Sequence, residues 1–168
     1  MKTLVLGGAR SGKSRYAEQL AENNSANVIY VATATVGDSE MAERIKKHQL
    51  QRPASWQLIE EPLGLSDVLL KNDKKDHCIL VDCLTLWLSN WLAHETIDIA
   101  QKSADLVNVI NQMQADVILV SNEVGQGIVP MGELSRRFVD ESGRLHQQLA
   151  QVCDRVVFTV AGLPQILK

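Results

Sequence analysis

The fold of this chain is decided by one stretch near its amino terminus, Gly7-Gly8-Ala9-Arg10-Ser11-Gly12-Lys13-Ser14. The stretch has the spacing G-x-x-x-x-G-K-S, and it lies between an apolar run at residues 3–6 and a helix-forming run from Arg15. A strand, a glycine-rich loop and a helix in this order are typical of the loop that binds nucleotide phosphates. A glycine-rich turn that happens to contain a lysine is the alternative, and the flanking strand and helix argue against it. The motif therefore predicts binding of a nucleoside triphosphate.

Each residue type in this loop has a chemical reason. Gly7 and Gly12 let the backbone turn tightly and approach an anion. Successive backbone N–H groups then line a concavity around phosphate oxygens, helped by the positive end of the helix dipole. We expect Lys13 to reach the β- and γ-phosphates and the Ser14 hydroxyl to bind Mg²⁺. The loop residues predicted to bind the nucleotide are Gly7, Gly8, Ala9, Arg10, Ser11, Gly12, Lys13 and Ser14.

Composition and charge are those of an ordinary globular protein. The 168 residues suffice for a buried core, and we predict one nucleotide-binding and transferase domain over residues 1–168. The net charge of −3 and the few aromatic residues argue against nucleic acid as a partner. No apolar run approaches the roughly 20 residues that a membrane-spanning helix needs. Three cysteines without metal-ligand spacing, and a first strand that leaves no room for a signal peptide, predict a cytoplasmic protein with reduced, mostly buried thiols.

Apolar runs and helical patterns alternate along the chain. Mostly continuous runs predict buried strands of a parallel sheet, and a weaker run at 56–59 predicts an edge strand. The buried strands are predicted at 3–6, 28–32, 79–81, 117–121 and 156–160, and helices at 14–23, 39–51, 84–94, 97–114 and 135–152. This order predicts the α/β P-loop NTPase fold, RecA-like, with a mostly parallel doubly wound sheet flanked by helices. Ligands bind beyond the carboxyl ends of such strands, which points to the loops at 7–13, 33–38, 82–84, 122–130 and 161–164.

The loops after the third and the fourth of these strands each carry an acidic side chain close to the end of the strand. Asp82 ends an apolar strand, where P-loop enzymes place the carboxylate that holds Mg²⁺ directly or through water. Capping of the following helix is the alternative role for Asp82, and we favour the metal role. Asn122 and Glu123 open the loop after the next strand. The Glu123 carboxylate could reach the metal or a substrate hydroxyl, and a solvated polar turn is an equally good interpretation.

His48 has the most unusual setting among the four histidines. Ile45 and His48 share the inward face of the predicted helix, and Arg44 and Arg52 flank that face in a way that suits a phosphate ester. From these residues alone, a structural histidine is the commoner interpretation. Surface or helix-cap positions are predicted for the other three histidines, His77, His94 and His146.

Several motifs together resemble one known family, the bifunctional adenosylcobinamide kinase/adenosylcobinamide-phosphate guanylyltransferases of cobalamin biosynthesis. The resemblance covers essentially the whole chain. It is carried by the phosphate loop, Tyr30-Val31-Ala32-Thr33-Ala34, Arg44-Ile45-Lys46-Lys47-His48, Arg52-Pro53, Asp82-Cys83-Leu84-Thr85 and Asn122-Glu123-Val124-Gly125-Gln126-Gly127-Ile128-Val129-Pro130.

The resemblance implies two reactions in one protein. ATP or GTP first phosphorylates the hydroxyl of the aminopropanol arm of adenosylcobinamide. GTP then donates GMP to the new phosphate through a GMP-histidine intermediate, which leaves adenosylcobinamide-GDP and pyrophosphate. His48 stands where the family has that catalytic histidine, with Lys13 as the second catalytic residue. The resemblance also implies a homotrimer with active sites between subunits. A P-loop small-molecule kinase without guanylyl transfer is the alternative function.

The same resemblance implies further nucleotide contacts. An acidic side chain near the base could accept hydrogen bonds from guanine and so reject adenine, and Glu60 and Glu61 both suit that role. The predicted nucleotide-binding residues beyond the loop are Thr33, Ala34, Thr35, Gln49, Leu50, Gln51, Arg52, Glu60, Glu61 and Asp82, and the predicted metal ligands are Ser14 and Asp82.

Overall fold

A computed structural model of the protein describes residues 1–24, 27–35, 53–94 and 97–168. Within these ranges, strands and helices alternate, as the sequence pattern predicts. The strands are β1 Lys2–Gly7, β2 Asn27–Ala32, β3 Gln57–Glu60, β4 His77–Asp82, β5 Asp116–Asn122, β6 Arg155–Val160 and β7 Leu163–Ile166. The helices are α1 Lys13–Asn24, α2 Leu65–Lys71, α3 Leu84–Leu92, α4 Ile99–Gln112 and α5 Glu133–Val152.

The seven described strands form one sheet in the order β3-β2-β4-β5-β1-β6-β7. All neighbouring pairs are parallel except β6 and β7, which pair antiparallel. The mostly parallel sheet confirms the predicted fold class, and β3 lies at the sheet edge as expected. Continuous apolar runs form its centre because helices cover both faces, so that residues of either parity are buried.

Two apolar layers hold the helices to the sheet. On one face, Ala17 and Ala21 of α1 pack against a layer that includes Val5 and Leu80. The other face carries the larger core, to which α2, α3, α4 and α5 contribute and in which Trp87 is 2% exposed. The small side chains of α1 let its backbone lie close to the sheet, mainly over β4 and β5.

Several element bounds differ from the sequence prediction. The sequence predicts a loop at 161–164, but β7 begins at Leu163 and pairs with β6 by backbone hydrogen bonds although all four of its residues are exposed. The helix α2, whose buried residues are Leu65 and Leu69, escapes prediction because seven residues are too short for a clear periodicity. The predicted helix at 39–51 lies outside the described residues.

The three cysteines are buried free thiols, which confirms their predicted state.

The strand register brings the carboxyl ends of the parallel strands to one edge of the sheet. Gly7 is the register partner of Asn122 on β5 and of Thr159 on β6. Ala32 is likewise the partner of Asp82 on β4 and of Glu60 on β3. The predicted loops at 7–13 and 122–130, and the described residues 33–35 of the predicted loop at 33–38, therefore start from this one edge. In the described ranges, no helix is long and apolar enough to cross a membrane.

Candidate functional site at the phosphate loop

The phosphate loop requires glycine at two positions for different reasons. A Cβ atom on Gly7 would lie 2.5 Å from Ser11 Oγ and 2.6 Å from the carbonyl oxygen of Thr159, so the close approach of three segments excludes any side chain. Gly12 has φ +94, in the region that favours glycine. Arg10 also has a positive φ, 56, which is uncommon for a residue with a side chain. The loop thus has the tightly wound backbone that its sequence predicts.

Both neighbouring strands hold the loop in place. On the β5 side, the backbone N–H of Glu123 donates to the carbonyl oxygen of Gly7 at 3.0 Å. On the β6 side, the N–H of Gly162 donates to the carbonyl oxygen of Ser11 at 2.8 Å. The loop therefore keeps its shape through backbone contacts with both sides.

Lys13 and Ser14 are the first two residues of α1. The Lys13 ammonium donates to the carbonyl oxygen of Gly8 at 3.2 Å, so its side chain folds back over the loop. Burial and the charge of Asp82 raise the pKa of the Cys83 thiol at the end of β4, and the Lys13 ammonium lies close enough to oppose them in part. A helix N-terminus, the Lys13 ammonium and the turned backbone together form a site suited to an anion.

Asp82 lies at the carboxyl end of β4, and the Tyr30 hydroxyl donates to its Oδ2 at 3.0 Å. Since β5 lies between β4 and β1, the two strands are separated by about 10 Å, twice the ordinary inter-strand spacing. A hydroxyl such as Ser14, one carboxylate, phosphate oxygens and water are a donor set that fits Mg²⁺. The described residues include no group of three or more His, Cys, Asp or Glu side chains that could hold a metal alone. The donor set of hydroxyl, carboxylate, phosphate oxygens and water fits a cation that arrives with a nucleotide.

Thr33 ties the ends of β2 and β4 together. Its buried hydroxyl accepts from the backbone N–H of Cys83 at 2.9 Å and donates to the carbonyl oxygen of Cys83 at 2.7 Å. The carbonyl oxygen of Thr33 accepts from the Asn90 side chain at 2.9 Å. Ala34 is half-buried and Thr35 is exposed. Within residues 33–35, the Thr33 side chain therefore has a structural role, whereas the side chains of Ala34 and Thr35 are accessible.

Glu60 and Glu61 differ in their settings. Glu60 is exposed and ends the edge strand β3. Glu61 is half-buried, and its Oε1 accepts from the backbone N–H groups of Leu63 at 2.9 Å and Gly64 at 2.8 Å. Its carboxylate therefore orders the turn before α2. The structure separates two residues that the sequence leaves equivalent.

Part of the predicted site lies outside the described residues. These positions are His48, Gln49, Leu50, Gln51 and Arg52. Their predicted roles stay predictions.

Among the other histidines, His146 corrects the sequence interpretation. The sequence predicts a surface or cap residue, but His146 is 7% exposed and its Nε2 lies 2.8 Å from Ser121 Oγ. The prediction is wrong because the apolar positions of α5, including Leu145 and Leu149, flank His146, and a polar residue within such a face gives no clear signal. His77 is half-buried and its Nδ1 lies 3.0 Å from the carbonyl oxygen of Asn72, whereas His94 is exposed.

Fold and site together define an α/β protein with a nucleotide-type phosphate loop at the carboxyl edge of a mostly parallel sheet. Solved structures with the same fold include the RadB recombinase, with a TM-score of 0.55 and 16% identity over 94% of this chain and 73% of that chain. The ATPase EscN of the enteropathogenic E. coli type III secretion system has a TM-score of 0.56 and 8% identity over 95% of this chain and 43% of that chain. At this identity they show the fold alone.

Sequence comparison identifies the family. Residues 3–167 match the family described as CobU: Cobinamide kinase / cobinamide phosphate guanyltransferase, and the chain belongs to it. The bifunctional adenosylcobalamin biosynthesis protein CobP of Pseudomonas aeruginosa is 52% identical over 100% of this chain and 98% of that protein. The bifunctional adenosylcobalamin biosynthesis protein CobU of Escherichia coli K12 is 37% identical over 97% of each chain.

Proposed function

We propose that this protein carries out the two reactions that its family name describes. It transfers a phosphate from ATP or GTP to adenosylcobinamide, and then transfers GMP from GTP to the resulting phosphate. The products of the second step are adenosylcobinamide-GDP and pyrophosphate. The observation that carries this proposal is the family match over residues 3–167, together with a relative that is 52% identical over 100% of this chain and 98% of its own length.

The phosphate loop would bind the triphosphate in both reactions. Its backbone N–H groups and the N-terminus of α1 stabilise negative charge, and the Lys13 ammonium neutralises the charge that develops on the phosphates. Because the loop is held from β5 and β6, its donors are oriented before the nucleotide binds. Ser14 and Asp82 would hold Mg²⁺, with Asp82 acting through water because β5 separates its strand from β1. Bound Mg²⁺ supplies charge neutralisation between the phosphates.

His48 would be the nucleophile of the second reaction. A neutral imidazole, whose ordinary pKa is about 6.5, is a competent nucleophile near neutral pH. Its nitrogen attacks the α-phosphorus of GTP, the bond to the bridging oxygen breaks, and pyrophosphate leaves with the electron pair. The phosphate of the corrinoid substrate then attacks the same phosphorus, and the bond to His48 breaks. Thr33, Ala34, Thr35 and residues 49–52 would contact the nucleotide, and Glu60 or Glu61 would read the guanine base.

The predictions on domain organisation, location and partners are also part of this proposal. We expect one domain over residues 1–168, a cytoplasmic location, no nucleic-acid partner and a homotrimer. Exposed apolar side chains support self-association, since Ile128 and Met131 are each 97% exposed in the segment after β5. If the trimer forms through this segment, Met131→Asp will lower the molar mass measured by light scattering. An unchanged trimer in that variant would place the contacts elsewhere.

Labelling with α-³²P-GTP and Mg²⁺ in the absence of acceptor tests the second reaction. We expect acid-labile, base-stable label on the protein, and we expect His48→Asn to lose it. His94→Asn is the matched control, because His94 is exposed and plays no part in the proposal. A protein without label, or equal label in His48→Asn, would contradict the guanylyltransferase mechanism and leave the kinase alternative.

Lys13→Ala tests the shared use of the loop. We expect loss of both the kinase reaction and the label, whereas Arg15→Ala, which removes an exposed positive charge two residues away, keeps both. Kinase activity that survives Lys13→Ala would show that the phosphate loop has been assigned wrongly.

A further inference from the structure

A buried polar cluster connects α5 to the phosphate loop. It consists of His146, Ser121, Glu123 and Thr85, and we call it the His146 cluster. His146 Nε2 lies 2.8 Å from Ser121 Oγ, and His146 Nδ1 lies 3.7 Å from Glu123 Oε2. Ser121 Oγ is also 3.3 Å from Thr85 Oγ1. The cluster therefore joins α5, the end of β5, the segment after β5 and the first turn of α3.

A serine, a histidine and a carboxylate in this order would suit nucleophilic catalysis, but the burial of Ser121 excludes that role. In hydrolases the serine oxygen is accessible to substrate and bonded to the histidine. Ser121 is 1% exposed, and its oxygen has polar partners on two sides. No substrate carbonyl or phosphate can approach it. The hydrogen bonds of the His146 cluster instead hold the neighbouring segments of the chain together.

The hydrogen-bond partners determine where the protons lie. The backbone N–H of Asn122 donates to Thr85 Oγ1 at 2.7 Å, and Thr85 Oγ1 is also in contact with Ser121 Oγ, where either oxygen can be the donor. The Glu123 carboxylate can only accept, so it favours a ring proton on Nδ1 and leaves Nε2 to accept from the Ser121 hydroxyl. We therefore assign the single ring proton to Nδ1. Burial lowers the pKa of His146, so the ring carries this single proton and no charge.

Glu123 is the link between this histidine and the nucleotide site. Its backbone N–H donates to the carbonyl oxygen of Gly7, the first residue of the phosphate loop. Its Oε1 accepts from the backbone N–H of Gly125, and a Cβ on Gly125 would lie 3.0 Å from that oxygen. The side chain and the backbone of Glu123 thus fix both the segment after β5 and one wall of the phosphate loop.

We propose that His146 is a positioning residue of the nucleotide site, whose neutral ring, protonated at Nδ1, orients Glu123 and thereby holds residues 122–125 against the phosphate loop. The inference rests on the proposed use of that loop as the nucleotide site. His146 itself touches no substrate, so it acts on nucleotide affinity through Glu123.

Two amide variants separate the two contacts of His146. In His146→Asn, the shorter side chain brings its amide to about the position of Nδ1 and can still donate toward Glu123. In His146→Gln, the longer side chain reaches about the position of Nε2 and keeps a partner for Ser121 only. In a His48→Asn background, where the proposed covalent label cannot form, we expect GTP affinity in the presence of Mg²⁺, measured by calorimetry, to stay within about twofold in His146→Asn and to fall about fivefold in His146→Gln.

Stability and a double variant show whether the effect passes through Glu123. Urea unfolding is measured for both amide variants, and we expect similar free energies of unfolding despite different affinities. In a Glu123→Ala background, His146→Gln should have no further effect on affinity. Three results would each overturn the inference. They are equal GTP affinities of the two amide variants, changes in affinity that parallel the changes in stability, and additive effects of the His146→Gln and Glu123→Ala changes on affinity.

The same titration with Lys13→Ala separates this inference from the proposed function. If Lys13→Ala binds GTP as well as the unaltered protein does, the nucleotide site is wrong and the inference falls with it. If affinity depends on Lys13 but is unaffected by His146→Gln, only the role of His146 is overturned. Ring ¹⁵N NMR of the folded protein at neutral pH gives an independent readout, with a proton on Nδ1 expected and a proton on Nε2 contradictory.

Discussion

The backbone N–H of Gly162 donates a 2.8 Å hydrogen bond to the carbonyl oxygen of Ser11, so the turn after β6 holds the phosphate loop in place. A Cβ on Gly12 would lie 3.0 Å from the Gly162 Cα, which shows how closely the two turns approach. With Glu123 bonded to Gly7 on the other side, the loop is fixed by both strands next to β1. The loop is therefore preorganised for phosphate binding, and loss of this packing should affect stability as well as affinity.

Replacement of Gly7 by alanine tests this packing. The new methyl group would lie 2.6 Å from the Thr159 carbonyl oxygen, a backbone atom that cannot move aside without shifting β6. We expect Gly7→Ala to lower the free energy of unfolding by about 1–3 kcal/mol, the usual cost of overpacking. The matched control is Gly8→Ala, where a Cβ meets nothing within 4 Å, and its change should be within about 0.5 kcal/mol. Urea unfolding measures both, and equal losses would contradict the interpretation.

Removal of the Tyr30 hydroxyl tests the role of Asp82. The Tyr30 hydroxyl donates to Asp82 Oδ2, and partners of this kind orient carboxylates that hold metals. We expect Tyr30→Phe to raise the Mg²⁺ concentration required for half-maximal activity roughly tenfold. Tyr16→Phe is the control, because Tyr16 packs against the same apolar layer as Tyr30. An unchanged Mg²⁺ requirement in Tyr30→Phe would contradict the proposed metal role of Asp82.

Base selectivity distinguishes Glu60 from Glu61. The Glu61 carboxylate orders the turn before α2. We infer that Glu60 reads the base, because it is exposed at the carboxyl end of β3, at the edge of the sheet where the phosphate loop lies. Glu60→Gln is expected to reduce the preference for GTP over ATP in the guanylylation reaction roughly tenfold, about the effect of one hydrogen bond to a charged group. Glu61→Gln should change stability more than selectivity. The selectivity is measured as kcat/KM for GTP and for ATP in each variant. If Glu61→Gln changes the selectivity and Glu60→Gln changes the stability, the two roles are exchanged.

The buried cysteines are expected to resist alkylation. Burial raises the pKa of Cys83 to about 11 and of Cys78 and Cys153 to about 12, so the reactive thiolate is scarce near neutral pH. Neighbouring carboxylates add to the effect, Asp82 for Cys83 among them. A thiol reagent at about pH 8 should label the folded protein slowly and the urea-unfolded protein at all three cysteines. Rapid labelling of the folded protein would contradict the assigned burial.

His146 makes the free energy of unfolding depend on pH, and the direction of its pKa shift gives the sign. Its folded pKa is lowered by burial, whereas the unfolded value is near 6.5, so the unfolded state binds more protons in the interval between these two values. The free energy of unfolding must therefore fall as the pH drops below about 6.5. We expect His146→Asn to lose less stability than the unaltered protein between about pH 7.5 and about pH 5.5, as measured by urea unfolding.

Gln147→Asn is the control for this pH series, because Gln147 is exposed on the same helix and the change removes no titratable group. Its pH dependence should match that of the unaltered protein. If His146→Asn also has the pH dependence of the unaltered protein, the pKa of His146 is not lowered in the folded state.

The accuracy of the sequence predictions depends on the length and the burial of each element. The central strands are predicted correctly because their apolar runs are continuous, which requires burial on both faces. β7 is missed because its residues are exposed and include Pro164, so no pattern of burial marks it. Its position follows from backbone pairing with β6, which no local pattern encodes.

The sequence by itself determined the phosphate loop, the fold class and the family, because each depends on local residue order. Gly7, Gly12 and Lys13 have fixed spacing along one strand, turn and helix, and such spacing is visible in a linear sequence. Only the tertiary structure decided that Gly162 and Glu123 hold the loop, that Tyr30 orients Asp82, and that His146 lies inside the protein. These contacts join residues far apart in the chain, and they exist because the parallel strands bring their carboxyl ends to one edge.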